Sequence, residues 1–598
     1  MTEPTRPEDR DASAPSTEAS TERPPSSGST RRTVLKGAAG AGLAAMAAMS
    51  GIAAPTRRDR RSARARALFE DPPNFVVVMM DDAPSDCFNP AFSCFNSITG
   101  ADAPNWLSYV NSIVNDPLCA PARASVLTGL ISQHHNVVNN DVGKRTPYGA
   151  TWFTALKEAG YVNGGFGKLM NHYGTLEYDE DRYTLIHSTE YMEKGFNKKH
   201  DEFRMLVSEP GYLDYTLLSY YVDANGTRIG DSAGMNALRD YGCSNPETDE
   251  ATRDTDYLTD VSRFHILDFI DRVVPLSRPF AVYWAPNAPH KDGGKDSGPL
   301  PAWRHRNALT LQDMYGNLPP TFNAKTDNQA DLPWLQSLRP PGGWMSPGQK
   351  DCVLTEKMLG LRAMKAVDEA LAAIVDKLDS LGILDKTVIM VLTDNGHMYG
   401  TFQMTDKGTS FEDALNMRLR VRFPNYGGVR NQVVSNVDLA NFVCELAGAT
   451  DFMELNDGLS FLPTIASATA VHRRETLFCH AVDKPGTPAF DGLRIYSELP
   501  GDQINRKIVR ARCTGKPANS DPKLDKRYVA EGQAWAHDLA NDPYEKHSLT
   551  PTAAEIQQIE DAVFAATGKW PDETIAPSNK TVAEVPECST GPVKCPRR

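Results

Sequence analysis

Three stretches of the chain are continuously apolar rather than alternating: NFVVVMM at 74–80, FAVYWA at 280–285 and TVIMVLT at 387–393. Runs of that length, rich in β-branched and aromatic residues, predict strands buried on both faces, as in a parallel sheet. Each runs into polar residues at its carboxyl end: Asp81 and Asp82, then the segment ending in His290, then Asp394, Asn395 and His397. Open α/β sheets gather their ligands at those ends. Ahead of the third run, Leu359, Ala363, Val367, Leu371, Ile374, Leu378 and Leu381 recur at helical spacing, and Gly382 stops the pattern. A helix packed on the sheet is predicted there. Beyond about residue 466, ETLFCHAV, GLRIYSEL, RKIVRARC and DKRYVAEGQAWAHDL predict short strands of an antiparallel sheet in a smaller C-terminal region.

The first 67 residues lack such patterning. Residues 1–29 are Pro-, Ser-, Thr- and acid-rich, too poor in apolar side chains to offset the entropy of ordering. STRRTVLKGAAGAGLAAMAAMSGIAA follows, with paired Arg31 and Arg32, then Val34, Leu35 and Lys36 ahead of an Ala/Gly stretch. It resembles a twin-arginine export signal, with cleavage expected after Ala53 or Ala67. No later apolar run approaches the ~20 residues of a membrane span, so no stable span is expected. The leader carries 12 Lys/Arg and 7 Asp/Glu; the whole chain's formal charge of −13 therefore becomes −18 for the remainder. That balance argues against nucleic acid as a partner. An anionic substrate would need local positive groups. With 598 residues, 40% of them hydrophobic, the chain is long enough for one large and one small domain.

The candidate chemistry centres on DPLCAPARASVLTG at 116–129, which places Cys119 at the expected mouth of a helix. A thiol there could be a nucleophile, a metal ligand, half of a disulfide or the precursor of another group. The adjacent oxygen donors Asp81–Asp82 and Asp394–Asn395 suit Ca²⁺ or Mg²⁺ rather than zinc. Pro121 suits a first helical turn, whose N–H groups would face an anion.

With these residues in hand, the chain resembles a type I sulfatase of the alkaline-phosphatase superfamily. The pattern C-x-P-x-R followed by L-T-G is matched by Cys119, Pro121, Arg123 and residues 127–129. Then come the DD pair, GK at Gly167 and Lys168, APNAPH ending in His290, DNG at 394–396, and DKGTSFE with Lys407 and Glu412. The resemblance runs from about 72 to 465, nearest the N-acetylglucosamine-6-sulfatase-like branch by its HHNVVNN and GK-x-x-N segments. Many sulfatases read G-K-x-H where this chain has GKLMNHYG, and the related branch places its histidine two residues after DNG, whereas His397 follows directly. Asn171, His172 and His397 are therefore left without roles.

The resemblance implies a mixed, mainly parallel sheet flanked by helices over 72–465, a small C-terminal subdomain over 466–570 and a tail over 571–598. It also implies that Cys119 is oxidised to formylglycine by a formylglycine-generating enzyme. The hydrated aldehyde would attack the sulfur of an aryl or carbohydrate sulfate, and its second hydroxyl would then expel sulfate. By the same resemblance Asp81, Asp82, Asp394, Asn395 and the modified Cys119 hold Ca²⁺, or Mg²⁺, while Arg123 steadies the diol. Lys168 and Lys407 grip sulfate, and His290 serves the leaving alcohol or the sulfate. A twin-arginine signal implies export to the periplasm, cell surface or medium through that machinery. Two other readings stay open: a phosphate or phosphonate monoester hydrolase using the same site, and an inactive exported binding protein with an unmodified thiol. Of the remaining cysteines, Cys588 and Cys595 are the most local candidate pair.

Overall fold

The computed structural model describes residues 61–171, 257–324 and 345–567, apart from 141–142, 144–145, 148, 293–297, 481–488, 501 and 512–532. It also describes Tyr212 and the backbone of strands within 203–241. The export signal, His172, Cys588 and Cys595 lie outside the described residues.

The three apolar runs are adjacent strands of one sheet: β1 (Asn74–Met80) lies between β3 (Phe280–Ala285) and β4 (Thr387–Thr393), parallel to both. β2 (Val162–Gly167) pairs parallel to β3 on its far side, and Phe203–Ser208 continues the parallel order. Antiparallel strands flank this centre, Tyr215–Val222 at one side and Arg420–Arg422 at the other, so the sheet is mixed but parallel in its middle. Every residue of β3 and β4 is buried, as continuous apolar runs require.

Helix α1 (Cys119–Thr128) lies among the residues buried on one face, with Trp152, Phe442 and Phe461. Helix α2 (Pro347–Ser380) belongs to the opposite face, with Phe269, Trp284 and Ile389. The sequence stripe marks α2 but misses its start, which lies 12 residues before Leu359. Ser346 caps it by accepting from Gln349 N–H, Gln349 returns the bond, and Pro347 takes the first position. Its buried stripe is also wider than expected, running through Leu354, Met358 and Leu361, while Leu359 is half-buried and Leu381 exposed. Gly382 ends it in left-handed backbone (φ 66°).

A second, four-stranded antiparallel sheet is formed by Glu475–His480, Phe490–Leu499, Asp502–Ala511 and Ala534–Asp538. Among the described residues no helix is long and apolar enough to cross a membrane.

Candidate active site

Parallel pairing without a register shift builds the site. Met80 lies opposite Thr393, so Asp81–Asp82 and Asp394–Asn395 leave the sheet side by side. Asp394 N–H donates back to Met80 O at 3.0 Å. Asp82 turns through left-handed backbone (φ 64°), a conformation side chains rarely hold, and its N–H donates to Asp394 Oδ1 at 3.2 Å. On the other flank Ala285 lies opposite Gly167, and Lys168 N–H donates to Ala285 O at 2.8 Å. Gly167 has φ 82°, and a Cβ there would fall 2.3 Å from Ala285 O. Only glycine lets the chain deliver Lys168 at this point.

Cys119 is the first residue of α1, with Leu118 as its N-cap, and is buried. Its Sγ lies 3.5 Å from Asp81 Oδ1 and 4.0 Å from Asp82 Oδ1, and Lys407 Nζ donates to it at 2.8 Å. One of the helix-start donors expected to face an anion is taken: Ala120 N–H donates to Asn140 Oδ1 at 3.0 Å. The last residue of the HHNVVNN segment thus occupies one donor of the first turn of α1. One turn on, Arg123 Nε and Nη2 grip Asp394 Oδ2 at 2.9 and 2.7 Å, and Nη1 donates to Lys168 O. Lys168 pairs with Asp81, and Lys407 with Asp82. His290 Nε2 lies 3.7 Å from Asp82 Oδ2, its Nδ1 2.8 Å from Lys291 O, and its side chain is one-third exposed.

Asp81, Asp82, Cys119 and Asp394 offer ligand atoms all within 4.8 Å of one another. Asn395 completes the set: Nδ2 donates to Asp82 Oδ1 at 2.6 Å, while Oδ1 is buried without a partner. A buried carbonyl oxygen lacking a donor is costly, and a hard cation supplies what it lacks. The residues therefore fit Ca²⁺ or Mg²⁺, with oxygen donors throughout except at position 119, where a neutral thiol is a poor ligand for such ions.

Burial opposes charge on the three carboxylates, and their partners offset it to different extents. Asp81 is nonetheless held well below the usual carboxylate range by Lys168, His290 and Arg123. Asp82 is held low by Lys407, His397 and His290. For Asp394 burial prevails over Arg123, helped by Asp81 and Asp82, and its carboxyl is pushed up to about 6. Burial also pushes the Cys119 thiol well up despite Lys407, while Asp82, with Asp81 and Asp394 behind it, raises Lys407 against its burial. Burial lowers His290 against the pull of Asp81.

The structure thus gathers Asp81, Asp82, Cys119, Arg123, Lys168, His290, Asp394, Asn395 and Lys407 around one point. It adds His397, which the sequence left without a role: Nδ1 lies 3.8 Å from Asp82 Oδ2 and Nε2 3.8 Å from Glu356 Oε1. Among the described residues no hydrogen bond joins Asn171 to this cluster. Glu356 went unread because it sits inside the α2 stripe, where a glutamate reads as a solvated face. Tyr212 was missed too; its hydroxyl donates to His290 O at 2.8 Å, from a segment without a motif.

The strand order, with a buried cluster of donors at the carboxyl ends that fits a hard cation, is that of an alkaline-phosphatase-like fold. A structure of a protein in complex with its substrate D-glucosamine-2-N,6-O-disulfate superposes with TM-score 0.56 at 17% identity, covering 84% of this chain and all of that one. A phosphonate monoester hydrolase from Silicibacter pomeroyi gives 0.53 at 17%, covering 82% and 94%. The family model described as Sulfatase matches residues 73–449, and the chain belongs to that family. It is similar to the N-acetylglucosamine-6-sulfatase of Capra hircus, 25% identical over 66% of this chain and 64% of that one. It is also similar to an extracellular sulfatase SULF-1 homolog of Drosophila melanogaster, 26% identical over 69% of this chain and 32% of that one. The chain thus spans about a third to two thirds of these relatives' length.

Proposed function

We propose that the protein hydrolyses a sulfate ester to an alcohol and inorganic sulfate, with residue 119 acting as the nucleophile after its thiol has been converted to formylglycine. The observation that carries this reading is the place of Cys119: first residue of a buried helix, within 4.0 Å of Asp81 and Asp82 and 2.8 Å from Lys407 Nζ. A buried thiol pushed up in pKa makes a poor nucleophile or ligand, whereas an oxygen-bearing side chain there would join the oxygen donors. A divalent cation held by Asp81, Asp82, Asp394, Asn395 and residue 119 would polarise the oxygen at 119 and neutralise the carboxylates around it.

The chain's own residues do the rest. Lys168 and Lys407 carry positive charge at the rim of the cluster and can hold sulfate oxygens as charge shifts toward the leaving group. Partly exposed His290 is placed to give a proton to the departing alcohol oxygen. Arg123, fully buried and bonded to Asp394, fixes α1 against β4 so that residue 119 keeps its place. The substrates in view are small aryl or carbohydrate sulfates. The glucosamine disulfate bound as substrate in one structural neighbour and the name of the goat relative, an N-acetylglucosamine-6-sulfatase, favour the latter.

Mass analysis of the 116–129 peptide, with turnover of a sulfate and a phosphate ester of one phenol, tests the proposal. Loss of sulfur from Cys119 with preference for the sulfate supports it, and an intact thiol in an active preparation refutes it. The fold shared with a phosphonate monoester hydrolase gives the second reading, which preference for the phosphorus ester would favour. Export is proposed from Arg31–Arg32: replacing both by Lys should strand active, already converted enzyme in the cytoplasm. Stranded protein with an intact thiol would place conversion after export.

A further inference from the structure

The sulfatase family match ends at residue 449, yet the side chains that hold the Lys407 segment come from beyond it. His480 closes the strand Glu475–His480 with its side chain 2% exposed, and Nδ1 lies 2.8 Å from Asp116 Oδ1, three residues before Cys119. Its other edge faces Gly408, the residue after Lys407: a Cβ there, at φ 80°, would lie 3.0 Å from Nε2. The imidazole is wedged between the segment entering Cys119 and the turn leaving Lys407. Glycine at 408 is what allows so close an approach. Neighbouring backbone ties the same strand down, since Cys479 N–H donates to Asn115 O at 2.6 Å and Asn115 Nδ2 to Leu477 O at 3.1 Å.

Two strands along the same sheet, fully buried Lys507 donates from Nζ to Ser410 O at 2.5 Å and lies 3.3 Å from Glu412 Oε1. Glu545 Oε2 then accepts the Glu412 N–H at 2.7 Å. Residues 408, 410 and 412 are therefore each held by a side chain from the region 480–545. We infer that the C-terminal sheet is the mount of Lys407, and that His480 is the positioning residue which sets the distance between Lys407 Nζ and residue 119. What Lys407 does for catalysis rests on the sulfatase reading; how it is held does not.

The test uses full-length, metal-loaded protein. His480→Ala is expected to lower kcat about 10- to 100-fold, the usual cost of losing a group that orients a catalytic side chain. The loss should vanish in a Lys407→Ala background, because both changes act through one ammonium. His480→Asn, whose amide can replace Nδ1 toward Asp116, should recover at least half of the lost activity on a logarithmic scale. Hydrogen exchange of the 406–413 peptide should quicken in His480→Ala while exchange in β1 and β4 does not. If His480→Ala does not fold, His480→Leu, which fills the space without a donor for Asp116, takes its place in every arm. Losses that multiply with Lys407→Ala, or unchanged exchange at 406–413, would overturn the inference. Quickened exchange in a protein whose wild type turns over neither ester would leave the mount standing and remove the sulfatase reading.

Discussion

Glu545 and Glu412 share the ammonium of Lys507 at the seam between the two sheets, and the count of charges there makes a stability prediction. Arg494 Nε stands 3.7 Å from Glu412, so the second cation favours that carboxylate. His537, 4.0 Å from Glu545, adds no charge near neutrality because burial holds it down at about 3. Burial therefore outweighs Lys507 at Glu545, with Glu412 adding to the effect, and its carboxyl is pushed up to about 7 from an ordinary 4.5. A carboxyl raised in the folded state contributes fully below pH 4.5, and the contribution is lost as pH rises to 7 and beyond. At 1.36 kcal/mol per pH unit the swing is on the order of 3 kcal/mol. Glu545→Gln keeps an oxygen for the Glu412 N–H and removes the charge that burial disfavours. The variant should match wild type near pH 5 and exceed it at pH 8.5, by up to that amount. Denaturant midpoints at both pH values in EDTA measure the difference, and titration of the metal site cancels in the comparison. Parallel pH curves for the two proteins would refute the reasoning.

Arg123→Met should lower stability in EDTA by about 3–5 kcal/mol, because Asp81 and Asp394 are left buried without their guanidinium. Ca²⁺ at about 100 times its Kd should return about 2.7 kcal/mol, and denaturation with and without the ion checks both figures. Cys119→Ser should fold normally and release about one equivalent of alcohol per chain before stalling, since a sulfated serine has no second hydroxyl; rapid-quench kinetics would reveal steady turnover if this is wrong. Asp81→Ala, Asp82→Ala and Asp394→Ala should each lose bound metal and activity together, and full metal content by elemental analysis in all three would show that the cation sits elsewhere.

The central sheet was legible because β1, β3 and β4 are buried on both faces, a condition that writes itself as continuous apolar sequence. Once those strands are parallel and in register, the polar residues after each must meet, so Asp81–Asp82 and Asp394–Asn395 could be read as neighbours. Cys119, Arg123 and Lys407 were readable only through a spaced pattern, since nothing local in a helix start or a turn announces a partner nearly three hundred residues away. Glu356 and His397 show the limit from the other side. Their meeting depends on how α2 lies across the strand ends, and the stripe that marks that helix says which face is inward but not where along its axis it crosses. The same holds for His480: a histidine ending a short strand gives no sign of Asp116 or Gly408 until the second sheet is docked.

The pairing that places Asp394 against Asp81 also sets a clock. Cys119 is enclosed by Asp394 through Arg123 and by Lys407, and these residues leave the ribosome about 275 residues later, roughly 15–55 s at ordinary elongation rates. Until then β1 has no β4 beside it, and α1 has neither the carboxylate that anchors its arginine nor the lysine that covers its first residue. The thiol is thus open to outside chemistry at least throughout that interval, and the lysine that covers it gains its mount only after residues 480–545 have followed. Codon choice or pausing between positions 119 and 407 would lengthen or shorten the opening without altering one atom of the finished protein.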